Sequence, residues 1–128
     1  MQVVIVTPER TAMDVKADYV ALPLIDGEIG VLPGHAPTIG RLGFGEMRVR
    51  IGSDTTNYYI DGGFVQISDN VISVLTGRAL PIANLNASEI REQLAQQEAN
   101  TNATGSEAAL RREAIQKAKA QLRILEKA

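Results

Sequence analysis

The stretch EMRVRIGSDTTNYYIDGGFVQISDNVISVL, residues 46–75, decides the fold of this chain. Its first six residues alternate polar and apolar side chains, which is typical of a strand with one buried face. The β-branched and aromatic runs at 57–60, 64–67 and 71–75 are separated by short segments rich in glycine, aspartate, serine and asparagine. Short strands with turn signals between them predict an antiparallel β-sandwich or barrel.

The same pattern extends toward the N-terminus. Residues 3–6 form the apolar run VVIV, and residues 13–19, MDVKADY, alternate strictly, which predicts a half-buried strand. Between the last two runs of the opening stretch, the pair Asp69-Asn70 tolerates positive φ and therefore predicts a tight hairpin turn.

The composition changes after Pro81, where β-branched runs give way to Ala, Gln, Glu, Arg and Lys. Asn86 followed by Glu89 has the spacing of a capping box and predicts a helix that ends at Ala99. The stretch NTNATGS, 100–106, then interrupts the helical pattern.

A second helix is predicted from about Glu107 to Lys127. Its apolar residues recur every three or four positions along one stripe, at Leu110, Ala114, Ala118, Leu122 and Leu125. Because this stripe is narrow and rich in alanine, we expect the helices to dock weakly enough to be released. The predicted organisation is a β domain at 1–84 and a helical hairpin at 85–128.

Composition limits the classes of function. The chain has 128 residues, 45% of them hydrophobic, with no cysteine and one histidine, which suits one ordinary domain or a small domain with an appendage. A formal net charge of −2 and few aromatic residues argue against nucleic acid as a partner. No apolar run approaches the ~20 residues of a spanning helix, so we expect any membrane contact to be indirect. The positive charge is concentrated in residues 106–128.

The stretch DGEIGVLPGHAP, residues 26–37, is the strongest candidate for a site. His35 could act as a general base in a small hydrolase, but the sequence has no nucleophile elbow and no set of residues with metal-ligand spacing. We expect His35 to lie in a rigid turn and to hydrogen-bond the backbone, with no catalytic residue and no metal. Pro33 and Pro37 hold the loop in one shape, which favours a recognition surface.

The run IDGEIGVLPGHAPTIGRLGFGEMRVR, 25–50, closely resembles the signature of the epsilon subunit of F-type ATP synthases of bacterial and chloroplast type. The run YIDGGFVQISDNVISVLTGRA and the ending QLRILEKA agree in order and spacing, so the resemblance covers essentially the whole chain. It implies an α+β, mainly β, fold: an N-terminal flattened β-sandwich of about ten strands and a C-terminal antiparallel two-helix hairpin.

The resemblance also implies partners. A sandwich of this family fastens to the gamma subunit and rests on the c-ring, and the residues that match the docking loop are Glu28, Gly34, His35, Ala36 and Pro37. The helical arm would enter the alpha/beta catalytic head and restrain ATP hydrolysis, and its basic residues are Arg111, Arg112, Lys117, Lys119 and Arg123. The protein would be a non-catalytic rotor subunit of a proton- or sodium-translocating synthase. It would lie peripherally on the coupling membrane, at the cytoplasmic face of a bacterial inner membrane.

Some members of that family bind ATP on the arm through the motif (I/L)-D-x-x-R-A. The matching stretch here is LNASEI, in which Leu85 fits, Asn86 replaces the acid, Glu89 the arginine and Ile90 the alanine. Lys117 and Gln121 stand where nucleotide-binding members carry arginines. A carboxylate at 89 repels phosphates, so we expect no cofactor and at most weak ATP binding. The alternative function is a general protein-binding β-sandwich with a static helical appendage.

Overall fold

A computed structural model describes residues 1–100 and 102–127 of the chain. Two compact units make up the fold, the first covering Met1–Pro81 and the second beginning at Ile82. The first unit is built from strands only: β1 (Gln2–Val6), β2 (Thr11–Lys16), β3 (Tyr19–Leu24), β4 (Gly27–Val31), β5 (Thr38–Ile51), β6 (Asp54–Ser68), β7 (Val71–Leu75) and β8 (Ala79–Pro81).

These strands pair in the order β2-β1-β7-β6-β5-β3-β4, and β8 pairs with β6 outside this path. All pairs are antiparallel except β1 with β7, which run parallel from Gln2 opposite Val71 to Val6 opposite Leu75. One face of each half of the sheet contributes to a single core, as in a β-sandwich. The core residues come from alternate positions of the strands, namely Val3, Ile5, Val20, Leu22, Val31, Met47, Val49, Ile60, Val65, Ile67, Ile72 and Val74.

The fold class agrees with the expectation, although the structure has eight strands where about ten were expected. The difference arises because β5 and β6 are long, continuous strands, and β6 changes its partner along its length. β6 pairs with β8 through residues 58–60 and with β7 through residues 64–68. Gly63 lies at this change, with φ +105, and a Cβ there would overlap the Leu75 carbonyl. Only glycine fits this position.

The strand prediction for residues 46–51 is confirmed, because Met47 and Val49 face the core while Arg48 and Arg50 do not. The prediction of one strand over 13–19 is wrong. β2 ends at Lys16, Ala17 and Asp18 form a corner, and Tyr19 begins β3. The Asp18 carboxylate accepts a hydrogen bond from the Gly52 N–H at 2.6 Å, which fixes this corner.

The predicted hairpin turn is confirmed. Asp69 and Asn70 have φ values of 52° and 63° and connect β6 to β7. Two consecutive residues with positive φ match the right-handed twist of the strands they join, and Asp and Asn are the non-glycine residues that tolerate this conformation best.

The second unit contains a short 3-10 helix (Ile82–Asn84), α1 (Ala87–Ala99) and α2 (Ser106–Lys127). Asn86 is the N-cap of α1, and its side chain accepts a hydrogen bond from the Glu89 N–H at 3.2 Å, as the sequence predicts. The predicted break at 100–106 corresponds to the gap between the helices, although Thr101 lies outside the described residues. The two helices pack on each other as a hairpin.

The predicted apolar stripe of α2 is partly wrong. Ala118 is buried and Leu122 is half-buried, but 67% of Leu110 is exposed. Each step of four residues turns about 40° further than a full turn of the helix. Leu110 has therefore rotated roughly 120° away from Leu122, which carries it off the buried face.

Candidate functional site

The segment between β4 and β5 forms a β-turn that its own sequence specifies. The His35 N–H donates to the Leu32 carbonyl at 3.2 Å, so the turn comprises residues 32–35. Pro33 supplies the fixed φ of the second position, and Gly34 supplies the positive φ, +83°, of the third. Proline and glycine in these positions are typical of a type II turn.

Four further hydrogen bonds hold this turn in place. The Gly34 N–H donates to the Asn70 side-chain oxygen at 3.0 Å, which joins the turn to the β6–β7 hairpin. The His35 Nδ1 lies 2.8 Å from the Ala36 carbonyl, and the Thr38 hydroxyl donates to the same carbonyl at 3.0 Å. The Gln2 N–H donates to the Asn70 carbonyl at 3.0 Å, so the start of β1 belongs to the same end of the sandwich.

This bonding defines what His35 can do. A carbonyl oxygen accepts, so Nδ1 carries the hydrogen and Nε2 is the nitrogen left to face a partner. The prediction that His35 hydrogen-bonds the backbone within a rigid turn is confirmed. In the described residues, the ring has no carboxylate or hydroxyl partner of the kind a general base needs.

Glu28 lies on β4 and is part of a second polar group. The Arg48 guanidinium of β5 contacts its carboxylate at 2.5 Å and 3.3 Å, and the Glu46 carboxylate at 3.2 Å. β3 lies between β4 and β5, so the arginine side chain reaches across a strand. The hydrogen bond that Arg48 donates to Glu28 is the main cause that raises the pKa of Arg48, with a smaller rise from the one to Glu46.

The predicted docking residues therefore form two groups. Gly34, His35, Ala36 and Pro37 lie together in the turn, whereas Glu28 lies four residues before the turn begins, roughly 13 Å along an extended strand. Glu28 is already engaged by Arg48, so a partner that contacts its carboxylate must share it with this arginine.

The basic residues of α2 are not equivalent. The Arg111 side chain donates from Nε to the Gln97 carbonyl at 2.6 Å and from an η nitrogen to the Glu98 carbonyl at 3.1 Å. It thus satisfies the C-terminal carbonyls of α1. Lys117 forms an ion pair with Glu113 at 3.1 Å.

The other three predicted cations of this helix differ from these two. All are exposed and have no side-chain partner within residues 1–100 and 102–127; they are Arg112, Lys119 and Arg123. Among the described side chains of α2, these three cations remain available to another molecule.

Four of the six positions that match the ATP motif have structural roles in the helical unit. Leu85 ends the 3-10 turn through its N–H, which donates to the Ile82 carbonyl, and Asn86 caps α1. Ile90 is buried, with 5% exposure, and Lys117 is held by Glu113. Glu89 and Gln121 lie on α1 and α2 respectively.

Among the described residues, no group of three or more histidine, aspartate or glutamate side chains could hold a metal ion. In the same part of the chain, no helix is long and apolar enough to cross a membrane.

Sequence reasoning did not find Asn70 or Arg48 as parts of these sites, and it predicted Arg111 as a basic residue of the arm without its contact with the end of α1. Asn70 contacts the turn across a separation of 36 residues and Arg48 contacts Glu28 across 20, so neither pairing has a local signal. Arg48 lies on the polar side of an alternating strand, where sequence periodicity marks it only as facing away from the core.

The fold defines a class: small proteins with a β-sandwich followed by a separate helical pair. Residues 1–82 match the family described as "ATP synthase, Delta/Epsilon chain, beta-sandwich domain". The ATP synthase epsilon chain of Rhodopirellula baltica is 47% identical over 94% of this chain and 94% of that protein. The chloroplastic ATP synthase epsilon chain of Guillardia theta is 33% identical over 92% of each. The chain therefore belongs to the ATP synthase epsilon chain family, whose members are accessory subunits and not catalytic ones.

Solved structures share the fold. A chain in the Euglena gracilis mitochondrial ATP synthase, in its OSCP/F1/c-ring part, has a TM-score of 0.87 at 20% identity, over 96% of this chain and 79% of that one. A chain in the central stalk/c-ring of the Tetrahymena thermophila mitochondrial ATP synthase has a TM-score of 0.67 at 14% identity, over 97% and 95%.

Proposed function

We propose that this chain is a rotor subunit that couples the gamma subunit to the c-ring and restrains ATP hydrolysis through its C-terminal helices. The observation that carries the docking role is the turn at 32–35, which is exposed yet fixed by Asn70. A surface that is already ordered loses little conformational entropy when a partner binds.

Binding to the purified gamma subunit and c-ring tests the docking role. His35→Ala removes the ring whose Nε2 is not used by the turn, and Asn70→Gly removes the acceptor of the Gly34 N–H while keeping a residue that tolerates positive φ. We expect both variants to bind the rotor more weakly, whereas Ser53→Ala, in the exposed turn between β5 and β6, serves as the matched control. Unchanged affinity in both variants would place the docking surface elsewhere.

The inhibitory role rests on the exposed cations of α2. Inside the catalytic head, acidic counterparts would pair with Arg112, Lys119 and Arg123, and exposed pairs of about 0.2–1 kcal/mol each matter only as a set. Arg111 and Lys117, which support the helical pair itself, are kept in the test so that a loss of inhibition does not come from unfolding.

The inhibition test replaces the three exposed cations with glutamine and measures ATPase activity of the reconstituted head across a salt series. We expect the triple variant to hydrolyse ATP faster and the inhibition by the unmodified chain to weaken as salt rises, since exposed charges are screened over about 8 Å at physiological ionic strength. Inhibition that stays the same in the variant would mean that the shape of the arm blocks the head.

A chain shortened to residues 1–85 tests the division of labour. It retains all eight strands, so it should fold and bind the rotor, and it lacks both helices, so it should lose inhibition.

We further propose a peripheral location on the coupling membrane, at the cytoplasmic face of a bacterial inner membrane, with contact to the membrane only through the c-ring. Cell fractionation should recover the chain with the membrane and release it when the synthase head is stripped.

A further inference from the structure

A cleft of about 200 Å³ lies at the end of the first unit opposite the turn at 32–35. Thr7 and Arg10 of the β1–β2 connection line one side, and Gly77, Arg78 and Leu80 line the other. β1 and β7 run parallel from the Asn70 end to this end, so roughly 15 Å of strand separates the cleft from the turn.

The backbone on both sides of the cleft is fixed. The Thr7 N–H and hydroxyl donate to the Arg10 carbonyl at 2.9 Å and 3.1 Å, and the Arg10 N–H donates back to the Thr7 carbonyl at 3.3 Å. On the other side, the buried Thr76 hydroxyl donates to the Arg78 carbonyl at 3.1 Å, and the Asp61 N–H donates to the same carbonyl at 3.1 Å. The two arginines therefore extend from ordered backbone.

Neither guanidinium binds another side chain in the part of the chain that the structure describes. Both side chains are exposed, and within residues 1–100 and 102–127 neither has an ion pair or a side-chain hydrogen bond. In contrast, Arg48 binds two carboxylates and Arg111 binds two carbonyls. Arginine presents planar, bidentate donors that match a carboxylate or phosphate, so the cleft offers sites for an oxyanion.

The charge of the cleft supports the same ligand class. Glu9 is the one acidic side chain among the residues known to line it, against the two arginines. The cleft is thus net positive in a chain whose formal net charge is −2. At about 200 Å³ it is smaller than the ~300–1,000 Å³ of pockets that enclose drug-sized ligands, and it suits a single acidic group.

An exposed apolar row lies directly beside the cleft. Phe64 of β6 pairs with Leu75 of β7, and Leu75 pairs with Val6 of β1, so the three side chains share one face of the sheet. Phe64 is 56% exposed and Leu75 50% exposed, and Val6 immediately precedes Thr7 of the cleft. A free anion would use only the cleft, whereas a protein would cover the apolar row as well.

We propose that this surface, the Arg10/Arg78 cleft with the Val6–Leu75–Phe64 row, binds a protein segment that presents an aspartate or glutamate next to apolar side chains. The acidic side chain enters between the two arginines and the apolar residues cover Phe64 and Leu75. The inference rests on the proposed function, because the partner is sought in the central stalk of the synthase.

The test measures the affinity of the full-length chain for purified synthase from which this subunit has been removed. The double variant Arg10→Gln/Arg78→Gln removes both charges, Phe64→Ser removes the apolar contact, and Arg91→Gln, an exposed cation of α1, is the matched control. All substituted side chains are exposed, and melting temperatures equal to that of the unmodified chain verify that each variant folds.

We expect the double variant to bind at least about tenfold more weakly at low salt, with a difference that shrinks as salt rises. Phe64→Ser should also bind about tenfold more weakly, at all salt concentrations, and Arg91→Gln should bind normally. If the unmodified chain binds but the double variant binds equally well, this inference is wrong while the proposed function stands. If the unmodified chain does not bind, both are wrong.

A titration of the isolated chain with inorganic phosphate and with acetate, followed by NMR of the arginine Nε–H groups, separates a protein ligand from a free anion. We expect phosphate to bind with a dissociation constant in the millimolar range or weaker. Submillimolar phosphate binding that is lost in the double variant, together with unchanged synthase binding, would make the cleft a site for a free anion and overturn the proposal.

Discussion

Replacing Arg111 with glutamine should loosen the helical pair without changing the sandwich. The Arg111 guanidinium donates hydrogen bonds to the last carbonyls of α1, at 2.6 Å from Gln97 and 3.1 Å from Glu98. The Gln97 carbonyl also accepts the long bond from the Asn100 N–H, at 3.3 Å. The Arg111 side chain, which belongs to the first turns of α2, thus supplies hydrogen-bond donors to the C-terminal carbonyls of α1.

The size of the effect follows from burial and charge. Hydrogen bonds to a charged group contribute about 1.5–3 kcal/mol, and a cation at an exposed helix C-terminus about 0.3–1 kcal/mol. The bond to Gln97 is partly buried while the bond to Glu98 is exposed, so the loss should lie between these ranges. We expect Arg111→Gln to lower the free energy of unfolding of the helical unit by about 1–2 kcal/mol.

Hydrogen exchange of the α1 amides in the full chain measures this change region by region, and far-UV circular dichroism in urea measures it globally. Arg112→Gln is the matched control, because Arg112 is the adjacent arginine, is exposed and has no side-chain partner in the described residues. It should change stability by less than about 0.5 kcal/mol. Equal exchange rates in the two variants would refute the capping role of Arg111.

Three further predictions concern the sandwich and the arm. Gly63→Ala should lower the free energy of unfolding by about 3–5 kcal/mol, because the added Cβ would overlap the Leu75 carbonyl at a residue with positive φ. The control is Gly52→Ala, whose added Cβ meets open space and which should lower the free energy of unfolding by only about 1 kcal/mol. Urea unfolding measures both changes. Arg48→Met should cost about 0.5–1 kcal/mol at low salt. A raised pKa in the folded state stabilises the charged arginine at every pH below its unfolded value, so this loss should be equal at neutral and mildly alkaline pH. Calorimetry with magnesium-ATP should show at most weak binding, since Asn86 caps a helix and Lys117 is paired with Glu113; a micromolar dissociation constant would contradict this.

Local signals in the sequence were sufficient for part of the fold. The Asp69-Asn70 turn and the Asn86 cap depend on residues within three positions of each other, and the structure has both. The strand predicted over 13–19 failed because alternation continues unchanged through the corner at Ala17 and Asp18, which is fixed by Gly52, 34 residues away. The alternation of polar and apolar residues indicates which face of a strand a residue occupies, but it does not indicate where the chain turns.

The candidate site also has features that the sequence predicts and features that depend on the tertiary fold. Pro33 and Gly34 specify the turn by their own φ preferences, so its rigidity was predictable from sequence. The bond from Gly34 to Asn70 and the ion pair from Glu28 to Arg48 depend on which strands become neighbours. For the same reason, the Arg10/Arg78 cleft had no counterpart in the sequence, since β1 and β7 bring together residues that are 68 positions apart.

The parallel pairing of β1 with β7 has a consequence for biosynthesis. Val3 and Ile5 are synthesised before the rest of the sandwich, yet both are fully buried in a core that needs β7, the strand paired with β1, to be complete. The nascent chain cannot close this core until Leu75 has been made, so its earliest apolar strand stays unprotected while most of the sandwich is translated. Closure of a contact this distant in sequence is slow. Chaperone demand should therefore be greatest before residue 75 is released, and the helices are synthesised only after the sandwich is able to fold.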